Sequence, residues 1–307
     1  MKVFITGSSG FIGCYLLREL VKNGHEVLAL KRQTTNLWRV EDVKEKVQWI
    51  NDDSAAEEKV EAFSPEIIFN LAWAGVAAAE RIDWALQESN IQLQQRWLDV
   101  AYKCKAKKFV GIGSQSEYGA FESKVDENYP EQPNTAYAAV KKASLDILKA
   151  YCETHSIEWY WFRVFPCFGP TEEDRWLIPS LIKSIFTQES MDLTPGEQKL
   201  AYLYVGEVAK SIYSAIDDKE SNIGVYNICA DNPIPLKQLV TMIRDKVKPS
   251  FQLNFGALQY RSGQCMYMEG DTTKLRKNLY QIDTKTFDKR LQETIDYYIK
   301  KYSDGNR

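Results

Sequence analysis

The segment MKVFITGSSGFIGCYLLRELV, residues 1–21, decides the fold of this chain. It opens with a short apolar run at 3–6, which is typical of a buried strand. Three glycines then follow in the pattern G-x-x-G-x-x-G and lead into a helix over 11–23 with one apolar face. Glycines at this position permit a tight turn and let a dinucleotide pyrophosphate approach the helix N-terminus. The residues that we predict to surround the pyrophosphate are Gly7, Ser9, Gly10, Phe11, Ile12 and Gly13.

Strands and helices continue to alternate through the first half of the chain. The hydrophobic pattern predicts further strands over 26–30, 47–50, 66–71, 108–112 and 158–164, and further helices over 56–63, 84–102 and 136–155. Such alternation predicts an α/β fold, a Rossmann-type doubly wound parallel sheet with helices on both faces. The pattern loosens after Pro166. We therefore predict a dinucleotide-binding domain over 1–165, with return segments near 200–230, and a smaller C-terminal substrate-binding lobe over 166–307.

Composition limits the classes of function. The chain has 307 residues, 44% of them hydrophobic, and a net charge of -3 without a concentrated basic segment, so we expect no nucleic-acid partner. Its longest apolar runs are strand-sized, so no membrane insertion is expected. No signal peptide is expected before the first strand. The six cysteines are scattered and only two histidines are present, which argues against a metal site and favours reduced thiols in a cytoplasmic protein.

The end of the second strand indicates which dinucleotide binds. Many NAD sites have an acidic residue here, which accepts hydrogen bonds from the ribose 2′-hydroxyl. This strand ends instead in Lys31 and Arg32, whose charges would attract a 2′-phosphate. We therefore predict that NADP(H) is preferred, while NAD(H) stays open because the two cations can equally be solvated surface residues.

A candidate catalytic group follows later in the chain. Tyr137 and Lys141 share one face of a predicted helix, and a nearby ammonium favours the phenolate form of a tyrosine. Ser114 ends a predicted strand, where ligands bind in this architecture. Tyr-x-x-x-Lys alone occurs on many ordinary helices. Its order after a glycine loop and a strand-end serine instead predicts proton transfer by Tyr137, coupled to hydride transfer at a nicotinamide.

These motifs resemble the extended short-chain dehydrogenase/reductase superfamily, and specifically its NAD-dependent epimerase/dehydratase family, over nearly the whole chain. The matching segments are TGSSGFIG (6–13), NLAWAG (70–75), Asn90, GSQSEYG (113–119), YAAVK (137–141), RVFPCFGP (163–170), YLYVGEVA (202–209), VYNI (225–228) and Arg261. The resemblance implies a nucleoside-diphosphate sugar as substrate, bound between the two domains. It also implies a homodimer, often formed by two helices of each subunit, here 84–102 and 136–155.

The resemblance further implies roles for individual residues. Tyr137 would donate or accept the proton, Lys141 would bind the nicotinamide ribose, and Ser114 would bind the reacting oxygen. Cofactor contacts would also come from Asp53 at the adenine and from Leu71 and Ala72. The substrate contacts would come from Ser114, Gln115, Ser116, Trp176 and, at the diphosphate, Arg261.

Departures from the family pattern help to choose a reaction. The 4,6-dehydratases of the family have an Asp-Glu pair where this chain has Gln115 and Ser116, so dehydration is not expected. Glu117, one residue along, would point elsewhere on an extended segment. Pro166 stands where many members have asparagine, and Leu200 and Ala201 replace a frequent Arg-Asp pair.

Three functions remain as hypotheses. We favour an NADPH-dependent 4-ketoreductase that acts on a nucleoside-diphosphate 4-keto-6-deoxyhexose or 3,6-dideoxyhexose, because LAWAG and GSQSEYG are also similar to CDP-abequose and CDP-paratose synthases. A 4-epimerase using the same three side chains is the alternative. A non-catalytic dinucleotide sensor is disfavoured because both Tyr137 and Lys141 are retained.

Overall fold

The computed structural model describes residues 1–260 and 264–304. The main strands are β1 (Lys2–Thr6), β2 (Glu26–Lys31), β3 (Gln48–Asn51), β4 (Ile67–Asn70), β5 (Lys108–Ser114) and β6 (Glu158–Val164), and the later strands are β7 (Cys167–Phe168), β8 (Ser190–Leu193), β9 (Lys199–Leu200), β10 (Leu203–Tyr204), β11 (Gly224–Ile228), β12 (Ile234–Pro235), β13 (Gln252–Phe255) and β14 (Tyr267–Met268). The helices are α1 (Phe11–Lys22), α2 (Ala56–Phe63), α3 (Trp84–Lys103), α4 (Ala136–Thr154), α5 (Leu177–Thr187), α6 (Val205–Asp217), α7 (Leu236–Val247), α8 (Thr273–Asn278) and α9 (Phe287–Asp304). The predicted α/β fold is therefore confirmed, and the six strands and four helices of the first half lie within two residues of their predicted ends.

A parallel sheet of seven strands forms the centre of the fold, in the order β11-β6-β5-β4-β1-β2-β3. From β1 the chain runs outward to β2 and β3, then returns to the other side of β1 for β4, β5 and β6. The strand order thus reverses between β1 and β4, and the crevice at that switch point is where ligands bind in open α/β sheets. Thr6 and Asn70 are register partners there, so the glycine loop begins at the crevice.

Two apolar layers cover the sheet because successive strand residues point to opposite faces. Val3 and Ile5 belong to the layer formed with α1 and α6. Phe4 belongs to the layer formed with α2, α3 and α4, where its ring lies 4.7 Å from the ring of Trp97. Because the apolar side chains of β1 point alternately to the two faces of the sheet, helices must cover both faces to bury them.

A smaller lobe follows β6 and has its own core. Helices α5, α7 and α9 pack together with β8 and β13, and Phe168, Leu181, Leu239 and Tyr298 are buried among them. Between these elements the chain returns to the sheet through α6 and β11. Within the described ranges, no helix has both the length and the apolar character that a bilayer crossing requires.

Candidate active site

Two glycines of the G-x-x-G-x-x-G motif after β1, Gly7 and Gly13, have no room for a side chain. Gly7 has φ +70°, and a Cβ there would lie 2.7 Å from the backbone nitrogen of Ala72 and 2.8 Å from the carbonyl carbon of Leu71. A Cβ on Gly13 would lie 2.1 Å from the carbonyl oxygen of Gly7. Helix α1 starts directly after Gly10, without a side-chain cap and without an acidic residue in its first turn. Its first N–H groups are therefore available to an anion, so the loop fits a dinucleotide pyrophosphate.

The remaining residues predicted at the pyrophosphate lie on the same turn. Ser9, Phe11 and Ile12 are partly exposed around the start of α1. The Ala72 N–H donates to Thr6 Oγ1 at 3.1 Å, so Leu71 and Ala72, which follow β4, lie directly against the loop.

The cationic residues lie at the ends of neighbouring strands. Lys31 ends β2, and its Nζ donates to Oδ1 of Asn51 at the end of β3, at 2.8 Å. Arg32 is exposed, and no carboxylate of the described residues lies within 4.0 Å of it. Asp53, predicted at the adenine, is exposed on the following loop and pairs with Lys59 at 3.4 Å. Positive charge is therefore available where the ribose of a dinucleotide would lie.

Tyr137 and Lys141 lie in the first two turns of α4 and are almost fully buried. The Lys141 ammonium donates to the backbone carbonyl of Ile112 at 2.7 Å and lies 3.4 Å from the ring centroid of Trp73. It is 5.9 Å from the ring centroid of Tyr137. Burial lowers the pKa of Lys141, and the carboxylate of Glu117 acts in the opposite direction. The ammonium is thus oriented by the end of β5 and by an indole ring.

A second cation contacts the tyrosine more closely. The guanidinium carbon of Arg81 lies 4.8 Å from the ring centroid of Tyr137 and 5.9 Å from that of Trp176. Its Nε donates to the carbonyl of Val76 at 3.0 Å. Burial raises the pKa of Tyr137, and the positive charge of Arg81 and the hydroxyl of Ser114 oppose that rise. Sequence reasoning assigned this charge to Lys141 and missed Arg81, which lies in a 3-10 turn, Glu80–Ile82, between β4 and α3.

The turn after Ser114 corrects one expectation. Residues Gln115–Tyr118 form a 3-10 helix, so Glu117 does not lie on an extended segment. Ser114 and Glu117 form a capping box: the Ser116 N–H donates to Ser114 Oγ at 3.2 Å, and the Ser114 N–H donates to Glu117 Oε1 at 2.7 Å. Glu117 also accepts from Nε of the buried Arg163 at 2.7 Å. It is therefore directed into the core, away from any substrate.

The predicted substrate contacts are distributed around this group. Gln115 and Ser116 are partly exposed, and Gln115 Nε2 donates to Ser116 Oγ at 3.3 Å. Trp176, at the start of α5, is 37% exposed. Its ring centroid lies 5.9 Å from the guanidinium carbon of Arg81, the cation beside the tyrosine ring. Arg261 lies outside the described residues. The arrangement can exchange a proton with a substrate oxygen beside a bound dinucleotide.

Comparisons of the sequence with known proteins find relatives over most of its length. The model of the NAD dependent epimerase/dehydratase family matches residues 3–229. CDP-abequose synthase of Salmonella muenchen is 26% identical over 280 residues, which cover 90% of this chain and 91% of that protein. UDP-glucuronate 4-epimerase 3 of Arabidopsis thaliana is 23% identical over 99% of this chain and 78% of its own length.

A solved structure has the same fold. UDP-glucuronic acid 4-epimerase from Bacillus cereus, in complex with UDP-glucuronic acid and NAD, superposes with a TM-score of 0.85 at 22% identity. The superposition covers 98% of this chain and 100% of that one.

Proposed function

The chain belongs to the NAD dependent epimerase/dehydratase family, whose enzymes modify nucleotide sugars, and on that premise we propose that it is an NADPH-dependent 4-ketoreductase. Its substrate would be a nucleoside-diphosphate 4-keto-6-deoxyhexose or its 3,6-dideoxy analogue. The similarity to CDP-abequose synthase over 90% of the chain supports this class of sugar.

The observation that carries the proposal is the neutral turn beside the acid–base tyrosine. Gln115 and Ser116 are the partly exposed side chains that follow Ser114, and neither can act as a carboxylic acid or carboxylate base. The nearest carboxylate along the chain, Glu117, is fully buried against Arg163. Proton transfer is therefore left to Tyr137, which suffices for reduction of a ketone but not for elimination of water.

Each side chain of the site has a separate role in the proposed reduction. A bound nicotinamide would supply a hydride to the carbonyl carbon. Tyr137 Oη donates its proton to the carbonyl oxygen, and Ser114 Oγ binds the same oxygen. Lys141, held by the carbonyl of Ile112, binds the ribose of the cofactor and adds positive charge to the site. Lys31 and Arg32 favour NADPH by binding a 2′-phosphate.

The substrate would bind between the sheet and the smaller lobe. Trp176 contributes an exposed apolar face at the start of α5. Leu200 and Ala201 carry no charge, so the diphosphate depends on cations elsewhere, and we propose Arg261 for that role.

A 4-epimerase is the second candidate, and the comparisons favour it at one point. UDP-glucuronate 4-epimerase 3 matches 99% of this chain, and the superposed structure is also a 4-epimerase. In epimerisation Tyr137 would first accept the proton of the sugar hydroxyl while the hydride of the same carbon passes to bound NAD, and would then return the proton when the hydride is added back to the other face of the sugar.

One experiment separates the two reactions. Purified protein is incubated with NADPH and a panel of CDP-, dTDP- and GDP-linked 4-keto-6-deoxy sugars, with Tyr137→Phe as the control. Stoichiometric NADPH oxidation that is lost in the variant is the expected result. Tight cofactor binding without oxidation of NADPH, together with interconversion of saturated nucleotide sugars, would replace the reductase by the epimerase.

Assembly and compartment complete the proposal. We propose a homodimer through the outer faces of α3 and α4, where Tyr102 is 54% exposed and its ring lies 4.5 Å from that of His155. A molar mass of one chain by light scattering, at all concentrations, would contradict it. The cysteines are all unpaired thiols, which supports a reducing, cytoplasmic environment.

A further inference from the structure

Two arginines of the described residues differ from all the others. Arg32 and Arg81 have no carboxylate within 4.0 Å. The arginines that do have one are Arg18, Arg39, Arg96, Arg163, Arg175, Arg244, Arg276 and Arg290. Arg32 lies at the end of β2, where a 2′-phosphate is proposed to bind. Arg81 lies over Tyr137, so an uncompensated positive charge is located at the proposed proton donor.

Arg81 is fixed between aromatic rings. Its guanidinium carbon is 4.8 Å from the ring centroid of Tyr137 and 5.9 Å from that of Trp176, and its Nε is anchored to the carbonyl of Val76. The ring of Trp73 meets Tyr137 from another side, at 6.1 Å and 80°. Such a geometry limits the guanidinium to a position next to the tyrosine ring, where the cation is attracted to the negative face of the ring.

Other charged groups near Tyr137 are less suited to this task. Lys141, on the same helix, directs its ammonium to the carbonyl of Ile112 and the ring of Trp73. Glu117, on the 3-10 turn, is neutralised by the buried Arg163. A guanidinium stays charged at every working pH, whereas a buried ammonium can lose its proton.

We infer that Arg81 is a positioning residue that keeps a permanent positive charge over the Tyr137 ring and so stabilises the tyrosinate left when the hydroxyl gives up its proton. The inference rests on the proposed role of Tyr137. In the transfer, the Oη–H bond breaks, an O–H bond forms on the carbonyl oxygen of the sugar, and the electron pair stays on Oη until solvent returns a proton. The tyrosinate ring is richer in electrons than the neutral ring, so its attraction to the guanidinium is stronger.

The test is a tyrosinate titration that needs no substrate. Protein saturated with oxidised cofactor is titrated while the ultraviolet absorbance of tyrosinate is recorded, and the same titration on Tyr137→Phe is subtracted. We expect Arg81→Gln to move the Tyr137 titration upward by about one pH unit or more, as loss of a charge at this range implies. Arg81→Lys should keep part of the effect, and it covers the case that Arg81→Gln does not fold.

Arg290→Gln is the matched control. Its guanidinium carbon is also 4.8 Å from a tyrosine ring, that of Tyr204, but outside the proposed site. After subtraction of the titration of Arg290→Gln combined with Tyr137→Phe, the Tyr137 titration of this variant should therefore match that of the parent. Where a substrate has been found, the pH profile of kcat for Arg81→Gln should move upward in parallel. An unchanged titration with a raised KM would overturn the inference, since Arg81 would then act by binding the substrate. Failure of the sugar panel would refute the proposed reaction but leave the titration result intact.

Discussion

Replacing Arg32 by alanine should weaken the binding of NADPH and leave the binding of NADH unchanged. Arg32 is exposed at the end of β2 and has no acidic partner among the described residues, so a 2′-phosphate would be its main partner. A hydrogen bond to a charged group contributes about 1.5–3 kcal/mol, and solvent screening at an exposed site favours the lower value. The dissociation constant for NADPH should therefore rise by about 10-fold.

Lys31→Ala should have a smaller effect at the same site. The Lys31 ammonium already donates to Oδ1 of Asn51 at 2.8 Å, so part of its hydrogen-bonding capacity is used within the protein. The loss of NADPH affinity should be measurably less than for Arg32→Ala.

Fluorescence titration with both cofactors, at low and high salt, measures these effects. Lys22→Ala removes the same charge from an exposed position at the far end of α1, about 18 Å along the helix from the glycine loop, and serves as the control. The reasoning is refuted if Arg32→Ala weakens NADPH and NADH equally, or if the parent protein binds both with the same affinity.

Three further predictions concern the loop, the lobe and the core. Gly13→Ala should destabilise the glycine loop by about 1–3 kcal/mol and weaken NADPH and NADH alike, since the new Cβ would lie 2.1 Å from the oxygen of Gly7; unchanged cofactor titrations would contradict this. Burial raises the pKa of Glu172 to about 8. The folded protein should therefore lose stability as the pH rises from the usual glutamate pKa towards 8, a loss that Glu172→Gln should abolish in denaturant unfolding at pH 5 and 8. Glu117→Gln should lower the free energy of unfolding by about 1.5–3 kcal/mol, because Arg163 loses the carboxylate at Nε but keeps its ion pair with Glu131; a loss below 1 kcal/mol would argue against this account.

Local chemistry explains why much of the fold and site could be predicted. The glycine spacing requires a tight turn, and a Cβ at Gly13 would indeed have no room. Helical geometry alone predicts that Tyr137 and Lys141 lie on one face of α4. The position of Lys31 and Arg32 also follows from the sequence once β2 is located. Parallel strands end at the same edge of a sheet, so the two cations must lie on the same side of the sheet as the glycine loop after β1.

Other parts of the site depend on contacts that periodicity does not encode. Arg81 lies in a single 3-10 turn, Glu80–Ile82, and its position over Tyr137 follows from packing against Trp176 and an anchor at Val76. The 3-10 turn after Ser114 did leave a signal, since S-x-x-E is the pattern of a capping box. A strand-end interpretation that looked only for catalytic residues overlooked this structural role of Glu117.

The same turn separates residues that maintain the fold from residues that can diverge. Ser114 and Glu117 close the box, whereas the two side chains between them make only long hydrogen bonds, from Gln115 Nε2 to Ser116 Oγ at 3.3 Å and from Ser114 Oγ to Ser116 Oγ at 3.2 Å. Exchanges at Gln115 and Ser116 therefore leave the backbone of the turn and the ion pair beneath it intact. New chemistry can thus be introduced at the cleft by two substitutions that leave the sheet unchanged. For protein engineering, Gln115 and Ser116 are therefore the positions of this turn where substitution should cost the least stability.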